Sequence, residues 1–76
     1  MGGKIIPKPS FLDQCIPAGM VNGQKRWKSK DLKRIYTWDS LHGEIEVFNK
    51  RGKHLGVLNP KGDLIKSAIK GRSIDV

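Results

Sequence analysis

The sequence predicts a small, mainly β domain built as one highly twisted antiparallel sheet, a meander in which consecutive strands are neighbours, with at most one short helix. Three observations support this fold class. From Arg34 onwards, short runs rich in β-branched and aromatic residues alternate with turn signals. The chain has 76 residues, which suffice for one core only. Its single cysteine, Cys15, excludes a disulfide within the chain, so packing must hold the fold.

The N-terminal third differs in composition from the rest. Residues 1–24 contain three of the four prolines and lack a sustained period of 2 or 3.6, so an extended lead-in is expected there, followed by the functional domain at residues 25–76. One short helical turn in the lead-in is expected to dock on the core, with Ser10 as its cap. The start of the chain is interpreted as that of a fragment cut from a larger secreted protein. The apolar residues of the turn are Phe11, Leu12 and Ile16.

The first strand predicted after the lead-in runs from Arg34 to Trp38 and is β-branched and aromatic in composition. Asp39-Ser40 favours a bend, because both side chains can bond nearby backbone groups. The segment from His42 to Phe48 then alternates with period 2. One face of this strand carries Ile45 and Val47, which are expected to be buried. The other face carries His42, Glu44, Glu46 and Phe48. An ordinary half-solvated strand has the same pattern, and this alternative is sufficient for Glu44 alone.

Turn signals divide the second half of the chain. Residues 49–53 form a predicted hairpin loop in which Gly52 can take a positive φ. The next strand is predicted from His54 to Leu58, and residues 59–62 form a β-turn with a proline at its second position. Residues 63–70 suit either a helix or a last strand, and the sequence leaves both open.

Charge gives the first indication of function. Fifteen Lys and Arg against seven acidic residues give a formal net charge of +8, and most of the excess precedes Trp38. Such an excess favours a polyanionic partner, either a nucleic acid or an acidic protein. A basic surface that serves only solubility is the alternative.

Two classes of site are not predicted. No uncharged apolar run is long enough to span a membrane. A zinc site is not expected, because Cys15, His42 and His54 lie too far apart in sequence for the usual finger spacings. No cofactor is expected.

An acidic cluster stands out in this basic chain, because Asp39, Glu44 and Glu46 lie within eight residues of one another with His42 among them. Period 2 is expected to bring His42, Glu44 and Glu46 side by side. A carboxylate and an imidazole on a basic surface are the two groups that cleave RNA without a metal. One takes the proton of the ribose 2′-OH, and the other supplies a proton to the leaving 5′-oxygen. A nearby Arg or Lys would stabilise the charge that develops on phosphorus.

Three stretches of the chain resemble the cytotoxic ribonuclease domain of the ribosome-inactivating E-type colicins and cloacin. They lie within residues 25–60, and a looser match follows at residues 70–74. The longest stretch contains the run IYxWDSxHGExE, which is long and chemically unusual. The stretches are Lys25-Arg26-Trp27, the segment KRIYTWDSLHGEIE at residues 33–46, and Gly52-Lys53-His54-Leu55-Gly56.

The resemblance implies a domain that is secreted within a larger toxin, acts in the cytoplasm of a target bacterium and cuts 16S ribosomal RNA in the decoding site. It also implies a small acidic immunity protein that protects the producer. By position, Asp39, His42 and Glu46 match the family's catalytic trio, Arg72 its phosphate-stabilising arginine, and His54 a further active-site histidine. The residues expected to contact the RNA are Lys25, Arg26, Lys33, Arg34, Glu44, Phe48 and Lys53.

Within the trio, Glu46 is interpreted as the base and His42 as the acid, with Asp39 orienting His42. Position alone does not decide which carboxylate is the general base. The chain departs from the family pattern at Phe48, where the family has a tyrosine whose hydroxyl could bond to substrate. The hairpin loop at residues 49–53 is more basic than the family's, and the segment after the β-turn aligns poorly.

Two other functions remain open from the sequence. A non-catalytic basic RNA-binding module would stack bases on Trp27, Tyr36 and Trp38. An interaction domain for an acidic protein would account for the charge but would leave the acid–base cluster without a role. The same residues would also suit the tip of a contact-dependent or other polymorphic toxin.

Overall fold

The computed structural model describes residues 3–76, which form one sheet of six antiparallel strands in the order of the sequence. The predicted mainly β meander is therefore confirmed. The interpretation of the chain's start falls partly on Met1 and Gly2, which lie outside the described residues. The strands are β1 (Ile16–Val21), β2 (Gln24–Lys28), β3 (Arg34–Asp39), β4 (Glu44–Asn49), β5 (His54–Leu58) and β6 (Leu64–Ser67).

The short helical turn expected in the lead-in is a 3-10 helix at Phe11–Gln14. Its N-terminus is held by Asp13, whose carboxylate accepts a hydrogen bond from the backbone N–H of Ser10 (2.9 Å). The Oγ of Ser10 is buried without a hydrogen-bond partner, so the predicted side-chain cap by Ser10 is not formed. Ile16 lies outside the helix and begins β1.

Strand β1 was not expected, because residues 1–24 show no alternation of apolar and polar residues. The structure explains this lack of pattern. Strand β1 is an edge strand without a buried residue, so neither of its faces requires an apolar series. Its pairing with β2 also shifts register between Pro17 and Met20, where Gly19 has a φ of +77°. The extended lead-in therefore ends before Ile16 and not at residue 24.

One face of the sheet, here called the core face, carries the side chains of Trp27, Tyr36, Ile45 and Val47. The lead-in crosses this face and completes its packing with Leu12, which is buried. Its neighbour Phe11 contacts the Tyr36 ring edge-to-face, with ring centroids 5.2 Å apart. The lead-in is thus part of the folded domain, since its apolar residues cover the core face of the single sheet.

The opposite face, here called the polar face, carries alternate residues of β3 and β4 and is also covered. Glu46 is only 5% exposed and Phe48 only 1%, so the alternative of an ordinary half-solvated strand does not hold for these two residues, although Glu44 is half-buried. The cover is the C-terminal segment, residues 68–76, whose Ile74 N–H donates to the carbonyl oxygen of Gly52 (2.8 Å). The alternation in β4 was predicted correctly, but its polar side is covered by the C-terminal segment and is not open to water.

The remaining turns follow the prediction. Gly52 has a φ of +88° in the hairpin loop, and the Gly62 N–H closes the β-turn on the Asn59 carbonyl oxygen (2.9 Å). Residues 64–67 form a strand, which settles the choice between helix and strand that the sequence left open. Along residues 3–76, no helix has the length and apolar character that crossing a membrane requires.

Candidate active site

Asp39 and His42 form an exposed ion pair at the end of β3. The Nδ1 of His42 lies 2.8 Å from Oδ2 of Asp39, and the other carboxylate oxygen accepts from the backbone N–H groups of Leu41 (3.0 Å) and His42 (3.2 Å). The His42 side chain is 58% exposed. Asp39 therefore orients the imidazole through one nitrogen and leaves Nε2 available to a substrate, as the sequence predicted for this pair.

The surroundings of Asp39 favour its ionised form. Burial opposes ionisation, but hydrogen bonds from the His42 ring and backbone, the charge of His42 and the Leu41 N–H outweigh it. Together they hold the pKa of the Asp39 carboxyl below its ordinary value. The carboxylate is therefore charged throughout the neutral range and acts as a constant partner for His42.

Glu44 lies opposite Asp39 in the sheet register and forms an ion pair with Lys66 of β6 (3.2 Å). Donor atoms of Asp39, His42 and Glu44 all lie within 4.8 Å of one another. One imidazole and two carboxylates are a donor set that a divalent transition metal can use. The arrangement was not expected from the sequence, which considered metal ligands only around Cys15.

A second cluster is buried on the polar face and contains Glu46, His54 and Arg72. The Nε2 of His54 lies 2.7 Å from Oε1 of Glu46, and a terminal nitrogen of Arg72 lies 3.5 Å from Oε2 of the same carboxylate. The His54 side chain is fully buried, and that of Arg72 is partly exposed. Glu46 is thus held between a histidine from β5 and an arginine from the C-terminal segment.

The hydrogen bonds of His54 determine which of its ring nitrogens carries the proton. Its Nδ1 accepts from the backbone N–H of Ile69 (2.9 Å), so Nδ1 is unprotonated in this arrangement. The single ring proton is therefore on Nε2, where it is donated to Glu46. His54 is thus a neutral donor that orients Glu46.

The same residue also positions Arg72. The backbone N–H of His54 donates to the carbonyl oxygen of Arg72 (3.0 Å), and Lys53 forms an isolated β-bridge with Ser73. With the Ile69 bond, these contacts attach the C-terminal segment to the beginning of β5. The guanidinium of Arg72 consequently reaches Glu46 although Arg72 is only four residues from the C-terminus.

The two clusters share the polar face. Asp39 pairs with Glu44 across β3 and β4, and two residues further along Thr37 pairs with Glu46. Since two residues of a strand span about 7 Å, the carboxylates of the clusters are separated by roughly that distance.

The structure thus divides the five predicted catalytic residues into a pair and a trio. His42 is not on the strand with Glu46, because β4 begins at Glu44 and His42 lies in the preceding turn. The predicted row of three side chains on one strand is therefore wrong at His42. The direct partner of Glu46 is His54, whose role the residues alone did not indicate.

The residues expected to contact RNA are spread over both faces. Lys25 lies above the Trp27 ring (5.2 Å to its centroid), and Arg34 lines a groove with Tyr36, so both are on the core face. Lys33 and Lys53 are exposed near the loops. Arg26 and Glu44 are on the polar face, in register with Thr37 and Asp39.

Phe48 is buried on the polar face and does not offer its ring to a substrate. It packs edge-on against the His54 ring, with centroids 5.3 Å apart. The expected contact between Phe48 and RNA is therefore wrong, and the ring of Phe48 instead packs against His54.

Sequence reasoning missed two further contacts of the site, those of Lys66 and of the Ile69 N–H. Both residues lie in the segment for which the sequence left helix and strand open.

The chain matches a known protein family over most of its length. A family model with the description Cytotoxic matches residues 16–75, from the first residue of β1 almost to the C-terminus. The chain belongs to this Cytotoxic family. The match includes every residue of both clusters. As a Cytotoxic domain of the colicin type, the chain is a bacterial toxin domain.

Three curated relatives from Escherichia coli are similar to this Cytotoxic domain. Colicin E3 is 42% identical over 53 residues, which are 67% of this chain and 10% of the relative. Cloacin is 41% identical over 51 residues, 64% of this chain and 9% of the relative, and Colicin-E6 has the same identity and coverage. The chain thus spans about a tenth of the length of the relatives it matches.

Proposed function

We propose that the domain is a metal-independent endoribonuclease that cuts 16S ribosomal RNA in the decoding site. The observation that carries the proposal is the pair of acid–base clusters on one face of a basic domain. The buried cluster holds the carboxylate of Glu46 between two donors, His54 and Arg72. The exposed cluster holds an imidazole with one free nitrogen, His42. These are the groups that attack by the ribose 2′-OH requires.

In the proposed reaction, Glu46 takes the proton of the 2′-OH, and the 2′-oxygen forms a bond to the adjacent phosphorus. The bond between phosphorus and the 5′-oxygen breaks, and protonated His42 supplies a proton to that oxygen from Nε2. The products are a 2′,3′-cyclic phosphate and a 5′-hydroxyl end. The guanidinium of Arg72 neutralises the charge that builds up on the phosphoryl oxygens.

Separate environments suit these separate roles. Glu46 is shielded from water, and its orientation is set by His54, so little reorganisation is needed when the substrate arrives. His42 is exposed and kept in place only by Asp39, so its Nε2 can gain a proton from solvent between turnovers. His54 is a positioning residue here, since its only ring proton is already donated to Glu46.

The burial of the aromatic residues argues against a non-catalytic RNA-binding module. Trp27 and Tyr36 are buried in the core face, and the indole N–H of Trp38 donates to the carbonyl oxygen of Lys4 (2.8 Å). These rings are therefore occupied by packing and do not form a stacking platform for bases. A domain that only bound an acidic protein would leave both clusters without a role.

The experiment is incubation of intact ribosomes with the purified domain in EDTA, under conditions in which the ribosomes remain assembled. One discrete 3′ fragment of 16S RNA is expected, with a 5′-hydroxyl at its new end. The matched control is Glu46→Gln, which removes the base and keeps the side-chain volume. Cleavage that stops on chelation and returns with added magnesium would contradict the mechanism, as would the absence of any fragment.

We further propose a small acidic immunity protein as the partner that silences the domain in the cell that produces it. The support is the net charge of +8 together with Lys50 and Arg51, both exposed at the tip of the hairpin loop. Lys25, Arg26 and Lys53 are proposed to add to the contact. Long-range attraction steers such an association, so its rate is expected to fall steeply as salt rises.

Reversal of charge at Lys50 and Arg51 tests this partner surface. The double variant should associate more slowly with the immunity protein and should show a weaker salt dependence, while the fold is unchanged. If neither the rate nor its salt dependence changes, the hairpin is not the contact. Delivery within a secreted toxin and action in the target cytoplasm belong to the same proposal.

A further inference from the structure

Arg26 is an unusual residue of the polar face, because its side chain is buried without an acidic partner. Arg26 is only 7% exposed, and its Nε is buried with no hydrogen-bond partner. Among residues 3–76, no carboxylate lies within ion-pair distance of its guanidinium, whereas Arg72 has Glu46. Buried charges in proteins are normally paired, since it is unfavourable to take a charge out of water without a partner. The missing counter-charge indicates that a ligand supplies it.

Arg26 lines two clefts on either side of its side chain. One cleft has a volume of about 350 Å³ and lies between β1, β2, β3 and the end of the C-terminal segment. A second, of about 270 Å³, lies beside the turn between β1 and β2 and is lined by Ser73, the residue after Arg72, and by Asp75, whose carboxylate forms no ion pair with Arg26. The lining of the larger cleft includes Val21, Arg26, Lys28, Ile35, Lys50 and Val76.

The larger cleft is positively charged. Lys28 is two residues from Arg26 on the same strand, so both side chains are on the polar face, and Lys50 approaches from the hairpin loop. Three cationic side chains thus line a cleft whose lining contains no acidic residue. Their mutual repulsion is relieved when an anion enters. A guanidinium fork with an unused N–H is the group that binds two oxygens of a phosphate.

The position of Arg26 relates the cleft to the acid–base clusters. Arg26 is paired with Thr37, and Thr37 with Glu46, so the three residues form one row across β2, β3 and β4. Two strand spacings place the backbone of Arg26 about 10 Å from that of Glu46. A phosphate at Arg26 would therefore flank the phosphate at Arg72 along the same face.

We propose that the cleft at Arg26 is a second phosphate subsite, which binds a backbone phosphate of the RNA beside the one that is cut. The subsite rests on the proposed ribonuclease function. It adds to that function a residue that binds the RNA on the side of Thr37 opposite to Glu46. Arg26 and Lys28 bind this phosphate, and neither contacts the bond that breaks. Their contribution is to affinity for the RNA.

The first experiment measures phosphate binding directly and does not depend on cleavage. The ¹⁵N-labelled domain is titrated with inorganic phosphate while the side-chain Nε–H signals of its arginines are followed. The Arg26 signal should shift and saturate, because its guanidinium gains an anionic partner in the cleft. Lys28→Gln, an exposed change, should weaken this binding at least threefold. Lys61→Gln, an equal loss of charge on the β-turn beside the lead-in, should leave it unchanged.

The second experiment asks whether the bound phosphate belongs to RNA. Ribosome binding is measured as a function of salt with Glu46→Gln, which leaves the RNA uncut, as the reference protein. Lys28→Gln, added to the reference, should weaken binding and reduce the slope of log affinity against log salt by about 0.7, because it removes one positive charge. Arg26→Lys, added to the same reference, should weaken binding with little change of slope, because lysine keeps the charge but lacks the guanidinium fork. Lys61→Gln should lower neither the affinity for the ribosome nor the slope.

Two outcomes would overturn the inference. If the Arg26 signal shows no saturable shift with inorganic phosphate, the cleft does not bind phosphate. If it shifts but ribosome binding is unaffected by both variants, the cleft takes an adventitious ion or a carboxylate of a protein partner. A failure of the ribonuclease function would appear differently, as ribosomes left intact by the unmodified domain while phosphate still bound at Arg26.

Discussion

The two histidine–carboxylate pairs of this domain contain the same groups at nearly the same distance, and they differ in everything around them. Asp39 and His42 are 2.8 Å apart, and Glu46 and His54 are 2.7 Å apart. The first pair lies at a turn with its imidazole in water, whereas the second lies under the C-terminal segment. Proximity of an acid and a base therefore does not by itself define a role. The role of each histidine depends on what its second ring nitrogen contacts.

In His54 the second ring nitrogen is occupied by a backbone N–H, and in His42 it is open to solvent. The former ring keeps one tautomer and fixes the carboxylate beside it. The latter ring can accept and release a proton without breaking a bond of the fold. The comparison indicates that the buried pair supplies a base of fixed orientation and that the exposed pair supplies a mobile proton.

Removing the proton-transferring group of each pair should give the largest effect. Glu46→Gln and His42→Ala should each lower the rate of ribosome cleavage by about 10²-fold or more, because general acid and general base terms have that size. Glu44→Gln, which changes a neighbouring carboxylate, should matter less. The measurement is the single-turnover rate on intact ribosomes. A wild-type rate for Glu46→Gln would show that another group is the base.

Arg72 tests whether the buried pair is completed by the C-terminal segment. Arg72→Ala should lose nearly all activity, and Arg72→Lys should retain part of it, because the lysine keeps the charge but lacks the two-pronged guanidinium. Rates on intact ribosomes measure both. Unchanged turnover of Arg72→Ala would mean that the arginine is a solvated residue of the tail.

The two histidines should differ in what they contribute to stability. His54→Ala should lower the free energy of unfolding by about 2–4 kcal/mol, since it opens a cavity beside Phe48 and removes a donor from the buried Glu46. His42→Ala should change it by less than about 1 kcal/mol, because that ring is exposed. Urea denaturation followed by tryptophan fluorescence gives both values. Equal losses would show that burial does not distinguish the pairs.

The smallest expected effect is the pH dependence of the exposed pair. The folded pKa of Asp39 is lower than its unfolded value, so its ionised form stabilises the fold above about pH 4, the ordinary value of an aspartate. This contribution is lost as the pH falls through the lowered folded pKa. Asp39→Asn should therefore be less stable than the unmodified domain at pH 7, by less than about 1 kcal/mol.

The difference between Asp39→Asn and the unmodified domain should shrink as the pH falls through the lowered folded pKa of Asp39, because the Asp39 side chain then loses its charge. Asp75→Asn is the control, since it removes an exposed carboxylate without removing the partner of His42. Denaturation midpoints over a pH series measure the effect. A stability difference that persisted at low pH would assign the role of Asp39 to packing.

Several parts of the site could be predicted from the sequence because they depend on local chemistry. The Asp39–His42 pair spans three residues across one turn, where the short aspartate side chain bonds both the backbone and the ring. The hairpin loop and the β-turn were predicted correctly for the same reason, since Gly52 and Pro60 act on their own backbone. The acidic cluster singled out Glu46, and the motif resemblance added His54 and Arg72 without showing how the three residues meet.

Contacts between distant segments were decided only by the tertiary structure. Period 2 places Glu46 and Phe48 on one face of β4, but it cannot show that residues 68–76 fold over that face and convert an exposed row into a buried site. Strand β1 escaped prediction because an edge strand without a buried residue needs no apolar alternation. In the sequence, Arg26 does not differ from the other basic residues. Only the fold buries its side chain and, within the described residues, leaves its guanidinium without a carboxylate at ion-pair distance. Local pattern therefore determined strands β3, β4 and β5, the turns and the exposed pair. Long-range burial, which depends on where segments far apart in sequence come together, decided the buried cluster and the clefts beside Arg26.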